Sequence, residues 1–203
     1  MSNTIEENKA IFIQLLKDKV KRDGINDLID YLEKSDFFIA PASARYHCDH
    51  EGGLVEHSIN VYNRLTNIIK NEYGNFEKYS EETIAICGLL HDLCKIDFYK
   101  IDYRNVKENG EWVKKPYYSV EEKLPYGHGE KSVYIINGFI RLTREEALAI
   151  NWHMGGFDYR VLGGATALSE SCRKFPLCIW MHIADLTATY IDENSNLTVK
   201  KGD

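Results

Sequence analysis

An imidazole and a carboxylate stand side by side at His91 and Asp92, at the end of an otherwise apolar run. Burying two adjacent titratable side chains costs several kcal/mol unless each gains a polar partner. A divalent metal ion satisfies both at once, because imidazole nitrogen and carboxylate oxygen are both good ligands. The pair therefore indicates a metal site whose remaining ligands must come from other parts of the chain.

Further histidines and one more anomalous aspartate lie on or at the ends of other predicted helices: His57, His128, His153 and Asp185. Asp185 is anomalous for the same reason as Asp92, since its neighbours are isoleucine, alanine and leucine. Mixed imidazole and carboxylate ligands suit manganese, iron, cobalt, nickel or zinc better than an all-oxygen magnesium cage, although magnesium stays open. No compact motif of the HExxH kind joins these residues, so the fold would have to assemble them.

Hydrophobic periodicity predicts the helices that position these side chains. They span about 5–21, 25–34, 53–71, 81–94, 128–139, 143–153, 165–173 and 177–191. His128 begins one of these helices and His153 ends the next, so a tight antiparallel connection would bring the two side chains together. The predicted fold class is all-α.

One segment departs from the helical pattern. Between residues 98 and 120 the chain is rich in aromatic and β-branched residues around Asn109-Gly110, a pair that tolerates positive φ in a tight turn. We predict a β-hairpin with arms near 100–107 and 111–119. It is either a decoration of the helical domain or a flap over the site.

Composition bounds the classes of function. The chain has 203 residues, of which 44% are hydrophobic and 28% charged, as expected for one globular domain. Its net charge of -6, without a visible basic patch, favours a small anionic substrate over a long polynucleotide. Without a signal pattern or an apolar run near ~18 residues, we expect a cytoplasmic protein with no membrane partner. Five cysteines without CxxC spacing suggest neither a disulfide framework nor a thiolate zinc site.

The ordered set His57, His91-Asp92 and Asp185 resembles the signature of the HD superfamily of metal-dependent phosphohydrolases. Residues 51–58, EGGLVEHS, are similar to the GGLLEH segment of bacterial HD 3′-5′ exoribonucleases, and residues 90–95, LHDLCK, to the HDxxK segment. The resemblance implies an HD-domain helical bundle over 40–192 with the hairpin inserted at about 99–119. Amphipathic helices within 1–39 would pack on this core, and 193–203 would form a polar tail that frays from residue 194 onwards.

The resemblance also implies how the ligands divide between two metal ions. In the family, the first His, the HD pair and the final Asp hold one metal, which here corresponds to His57, His91, Asp92 and Asp185. Members with two further histidines between the HD pair and the final Asp hold a second metal bridged by the HD aspartate. His128 and His153 occupy those positions, so two divalent cations are expected.

Several further residues are candidates for catalysis and substrate binding. Two dications can clamp a phosphoryl group and generate hydroxide near neutral pH, which gives Asp92 a catalytic role. Lys95, one helical turn past His91, could hold a phosphate oxygen or neutralise developing charge. Arg45 and His47 are the next candidates for phosphate contact, and Tyr159 could stack on a base.

We therefore predict hydrolysis of a phosphoester in a nucleotide or short nucleotide-containing substrate. One alternative is a 3′-5′ exonuclease on single-stranded RNA or DNA, and another is a non-catalytic nucleotide-sensing module. The exoribonuclease branch carries a nucleic-acid-binding domain ahead of its HD region, whereas acidic amphipathic helices stand there in this chain, which argues against RNA degradation. Cys94 replaces a glycine found in many members, and a homodimer is left open.

Overall fold

The amphipathic segments fold into helices around one apolar core. The computed structural model describes residues 3–193. The α-helices are α1 (Ile5–Lys19), α2 (Ile25–Lys34), α3 (Gly53–Tyr73), α4 (Glu81–Leu90), α5 (His128–Asn137), α6 (Arg144–Asn151), α7 (Tyr159–Leu162), α8 (Ala167–Lys174) and α9 (Leu177–Thr187). Short 3-10 turns cover Leu93–Lys95 and Gly155–Phe157, and a π-helical turn covers Ala188–Asp192. The helical fold class is confirmed, and none of these helices is long and apolar enough to cross a membrane.

The hairpin inserted between α4 and α5 consists of β1 (Tyr99–Glu108) and β2 (Glu111–Val120). The strands are antiparallel, with Tyr99 opposite Val120 and Glu108 opposite Glu111. Asn109 and Gly110 have φ values of 50° and 92°, as a two-residue hairpin turn with positive φ requires. Apart from the half-buried Val106, residues 100–116 are exposed, so the hairpin extends from the body and only its base lies near the helices.

Helix α3 packs against both α4 and α9 and so connects the segments that carry three of the predicted ligands. Residues 84–90 of α4 are all buried, which explains why this helix is apolar nearly all round. The approach of α3 and α4 is close at Gly88, where a Cβ atom would lie 2.6 Å from the Cα of Tyr62. This contact sets the start of α3, with His57, beside the end of α4, with His91.

Helices α5 and α6 form the second pair that shapes the site. A Cβ atom on Gly129 would lie 2.2 Å from the backbone oxygen of Asn151, so glycine permits the start of α5 to touch the end of α6. The rings of His128 and His153 consequently lie with their centroids 5.1 Å apart. The expected convergence of these two helix ends is confirmed.

The predicted helix over 81–94 ends earlier, at Leu90. The side chain of His91 explains this difference, because its Nδ1 donates a 2.9 Å hydrogen bond to the backbone oxygen of Gly88. Asp92 then leaves helical geometry at φ -104° and ψ 20°, and the chain continues into the 3-10 turn. Lys95 is therefore not one α-helical turn beyond His91, and it contacts Asp92 instead.

A buried ion pair fastens the N-terminal helices to the bundle. Arg22, between α1 and α2, donates two 2.7 Å hydrogen bonds to the carboxylate of Glu146 on α6, whose side chain is fully buried. The hydroxyl of Thr83 on α4 and the backbone N–H of Thr143 donate to the same carboxylate, each at 2.8 Å. One carboxylate thus joins α4, α6 and the connection between the first two helices.

Candidate metal centre

Four of the six predicted ligands meet where α3, the end of α4 and α9 come together. Nε2 of His57 lies 3.3 Å from Nε2 of His91 and 3.3 Å from Oδ1 of Asp185. Oδ2 of Asp92 lies 3.6 Å from Nε2 of His57 and 3.5 Å from Nε2 of His91. The side chains of His57, His91 and Asp92 are almost completely buried.

The other two predicted histidine ligands, His128 and His153, lie beside the second carboxylate oxygen of Asp92. Oδ1 of Asp92 is 3.0 Å from Nε2 of His128 and 3.5 Å from Nε2 of His153. Each carboxylate oxygen of Asp92 therefore faces its own pair of histidines. This is the arrangement in which one carboxylate can bridge two ions.

The donor atoms fit a divalent metal. Ligands at 2.0–2.2 Å from an ion lie roughly 3.0–3.5 Å from one another, close to the separations between these nitrogen and oxygen atoms. Nε2 of His153 is buried and has no hydrogen-bond partner within residues 3–193, which is costly unless an ion binds there. Nδ1 of His153 donates to the oxygen of Ile150 at 2.6 Å, as Nδ1 of His91 does to Gly88, so both Nε2 atoms present lone pairs to the cluster.

The electrostatics of the cluster also suit a cation. Burial lowers the pKa of His91 to about 3, which keeps its imidazole in the neutral form that binds metals. Burial would raise the pKa of Asp185, but the hydrogen bond from His57 holds it well below its usual value. Burial would likewise raise the pKa of Asp92, but the Lys95 ammonium holds it well below its usual value, so both carboxylates provide negative charge for an ion.

A cavity of about 580 Å³ opens onto this cluster. Three of the four predicted substrate-binding residues, Arg45, His47 and Lys95, line it. Lys95 is buried, and its Nζ lies 2.6 Å from Oδ2 of Asp92. Tyr159 is 90% exposed and does not line the cavity, whereas Phe157, two residues earlier, does.

Sequence reasoning missed Glu193. Its buried carboxylate accepts a hydrogen bond from Nδ1 of His57, with N–O distances of 3.0 and 3.1 Å, and another at 3.0 Å from Nδ2 of Asn60. The π-helical turn after α9 places it there, and an ion pair between Asp192 and Arg64 holds that turn against α3. A carboxylate on the far nitrogen of a ligating histidine fixes the tautomer and ring orientation. The predicted fraying from residue 194 onwards lies outside the described residues.

We expect Glu193→Gln to weaken metal binding by about 10- to 100-fold, because the amide no longer orients and polarises the His57 ring as a carboxylate does. Competition with a chromogenic chelator would measure the affinity. Asp192→Asn is the matched control, since it weakens an exposed ion pair on the same turn without touching His57. An equal loss of metal affinity in Glu193→Gln and Asp192→Asn would mean that Glu193 only holds the turn in place.

Comparison with known proteins places the chain in a family. The family model named HD domain matches residues 54–187, a span that contains all six predicted ligands. This chain belongs to the HD domain family. The HD segment runs from the beginning of α3 to the last residue of α9, so the hairpin lies within it.

One curated relative of this HD protein is a dihydroneopterin 2′,3′-cyclic phosphate phosphodiesterase from Methanocaldococcus jannaschii. It is 33% identical over 94 residues, which amount to 44% of this chain and 35% of the relative. The matched segment thus spans about a third of the archaeal enzyme's length. No solved structure matches the chain.

Proposed function

We propose that this HD protein is a metal-dependent phosphohydrolase that cleaves a phosphoester in a nucleotide or short nucleotide-containing substrate. The observation that carries the proposal is the carboxylate of Asp92, whose two oxygens each face a separate pair of histidines beside an open cavity. Family membership supports hydrolase chemistry at this place. The ligand types favour Mn, Fe, Co, Ni or Zn, with Mg as the less suited ion.

In this proposal some residues of the site bind the metal ions and others bind the phosphate. His57, His91, Asp92 and Asp185 would hold one ion, and Asp92, His128 and His153 would hold the other. Bound divalent metals polarise a phosphoryl group and lower the pKa of water, which supplies a nucleophile near neutral pH. The Lys95 ammonium, at the cavity wall beside Asp92, would hold a non-bridging phosphate oxygen, and the exposed Arg45 on the same cavity wall would contact phosphate too.

The cavity supports a small substrate. Its volume of about 580 Å³ falls within the range of small-molecule sites, roughly 300–1,000 Å³. Its wall combines the cationic side chains of Arg45 and Lys95 with the aromatic rings of Tyr99, Phe157 and Tyr190, which suit a base or another flat ring. Because the archaeal relative is named for a cyclic phosphodiester, 2′,3′-cyclic nucleotides are the first substrates to test.

Metal analysis coupled to a substrate panel tests the proposal. Protein stripped with a chelator and reloaded with each candidate metal would be assayed on 2′,3′-cyclic nucleotides, nucleoside monophosphates, dinucleotides and single-stranded oligonucleotides. We expect metal-dependent turnover of a small substrate that a chelator abolishes. Preference for oligonucleotides, with salt-sensitive binding, would instead indicate an exonuclease. Failure to bind metal or to turn over any substrate would contradict the proposal.

Replacement of Lys95 by methionine removes the ammonium but keeps most of the side chain's volume. We expect kcat/KM to fall about 10²- to 10³-fold, the usual loss of one charge-stabilising donor, while metal content stays unchanged. Lys100→Met is the control, because Lys100 is an exposed lysine of the hairpin that pairs with Glu121. Loss of metal in Lys95→Met would show that Lys95 serves chiefly as the partner of Asp92.

A further inference from the structure

The β-hairpin carries strand edges that no other strand covers. Within residues 3–193 the sheet consists of β1 and β2 alone. Ile101, Tyr103 and Trp112 are 61%, 55% and 72% exposed, so the hairpin leaves large apolar side chains in solvent as well as its edges. Two strands by themselves are only marginally stable in water, and long exposed edges readily pair with further strands. The hairpin thus has the properties of a surface for strand pairing.

The two edges of the hairpin differ in what they can bind. In a two-residue hairpin the pair that flanks the turn is hydrogen-bonded, and hydrogen-bonded and non-hydrogen-bonded pairs alternate from there. Counted from Glu108 and Glu111, Tyr103 and Pro116 form a non-hydrogen-bonded pair, whose backbone nitrogen and oxygen atoms point outwards. Pro116 has no N–H, so the outer edge of β2 lacks a donor near its middle. The N–H of Tyr103 donates at 3.0 Å to the carboxylate of its neighbour Asp102, which leaves β1 as the edge that can accept another strand.

A second copy of β1 is complementary to this edge. When a strand pairs with its own copy around a twofold axis, residues equally far before and after the axis lie opposite each other. With the axis at Tyr103, near the middle of β1, Asp102 lies opposite Arg104 of the second copy, and Arg104 lies opposite its Asp102. With the axis at Asp102 or at Arg104, two like charges would meet on the axis itself. An axis nearer either end of β1 would leave fewer residues paired, so Tyr103 is the favoured centre.

The charges needed for this register have no other ionic partner. Opposite charges directly across two strands stabilise their pairing, and like charges destabilise it. Within the part of the chain that the structure describes, the ion pairs of the hairpin join other residues, and neither Asp102 nor Arg104 takes part in one. The guanidinium of Arg104 lies over the ring of Tyr117, 5.4 Å from its centroid. Both side chains are therefore available to a second copy.

We propose that the protein forms a twofold homodimer in which the two β1 strands pair antiparallel around Tyr103 and build a four-stranded sheet. Backbone hydrogen bonds between the two edges would supply the affinity, and the two pairs of Asp102 with Arg104 would fix the register. Pro116 would lie on each outer edge of this sheet and oppose the addition of further strands, so the assembly would close at two copies.

Sedimentation equilibrium of the full chain at micromolar concentration tests this dimer without any assay of activity. We expect a dimer that Tyr103→Pro weakens at least about tenfold, because symmetry removes two hydrogen bonds at the centre of the interface. Lys114→Pro is the matched control, since Lys114 holds the equivalent outward position on β2, whose edge Pro116 already interrupts. A parent protein that stays monomeric would overturn the proposal, whatever its metal content and activity.

Exchange of the two charges tests the register. Asp102→Arg and Arg104→Asp would each place like charges opposite one another twice, and we expect each to weaken the dimer at least about tenfold. An equal mixture of these two variants should form a heterodimer, because every cross-strand pair then joins opposite charges, and this recovery would also show that both variants are folded. The double variant Asp102→Arg, Arg104→Asp should dimerise like the parent. Single variants that dimerise as tightly as the parent, or a mixture that stays monomeric, would overturn the pairing around Tyr103.

Discussion

Replacing Asp92 by asparagine should abolish phosphoester hydrolysis and remove bound metal. Asparagine keeps the shape of the side chain but loses its charge and one of the two oxygens that face the two pairs of histidines. Since metal ions contribute several kcal/mol of transition-state stabilisation, we expect the rate to fall on the order of 10³-fold or more.

Metal content by mass spectrometry and kcat/KM on the best substrate would check this result. Asp102→Asn is the matched control, because Asp102 is an exposed aspartate of the hairpin. In the Asp92 variant Lys95 loses an ion-pair partner at 2.6 Å, which could destabilise the fold. Thermal unfolding of both variants would therefore establish whether the Asp92 variant is folded. An Asp92→Asn protein that keeps two metals and full activity would rule out the bridging role.

The candidate ligands could be predicted from the sequence because they are polar, titratable side chains on or at the ends of largely apolar helices. Asp92 and Asp185 are carboxylates in apolar segments, and their burial demands a partner whatever the details of the fold. The pairing of His128 with His153 followed from chain geometry, since a short antiparallel connection joins the start of one helix to the end of the next. The sequence therefore pointed to residues that the structure brings into one cluster.

Residues whose position depends on local irregularity could not be predicted in this way. Glu193 reaches His57 through a π-helical turn, and no apolar period or capping residue marks such a turn. Which aromatic side chain lines the cavity, Phe157 or Tyr159, depends on the 3-10 turn at Gly155–Phe157. The sequence shows only that aromatic residues are frequent in this segment. Helix interiors follow from periodicity, but their ends depend on single hydrogen bonds such as that from His91 to Gly88.

The largest expected effect on stability is at Glu146. Its carboxylate receives four hydrogen bonds, two from Arg22 and one each from Thr83 and Thr143. Glu146→Ala would leave the guanidinium of Arg22 with only the longer ion pair to Glu82 and the backbone oxygen of Arg141 as partners, and it would remove the capping box of α6. We expect the free energy of unfolding to fall by about 3–5 kcal/mol, the usual cost of removing one member of a buried ion pair.

Urea unfolding of the metal-free protein would measure this loss. Glu82→Ala is the matched control, because Glu82 pairs with the same guanidinium at 3.3 Å in a more exposed position and should cost less than about 1 kcal/mol. The double variant Arg22→Met, Glu146→Met should recover much of the lost stability, since it removes the guanidinium together with the carboxylate and leaves only the half-buried Glu82 without its partner. If Glu146→Ala lowered the free energy of unfolding no more than Glu82→Ala does, the Arg22–Glu146 pair would not be what holds the N-terminal helices against α6.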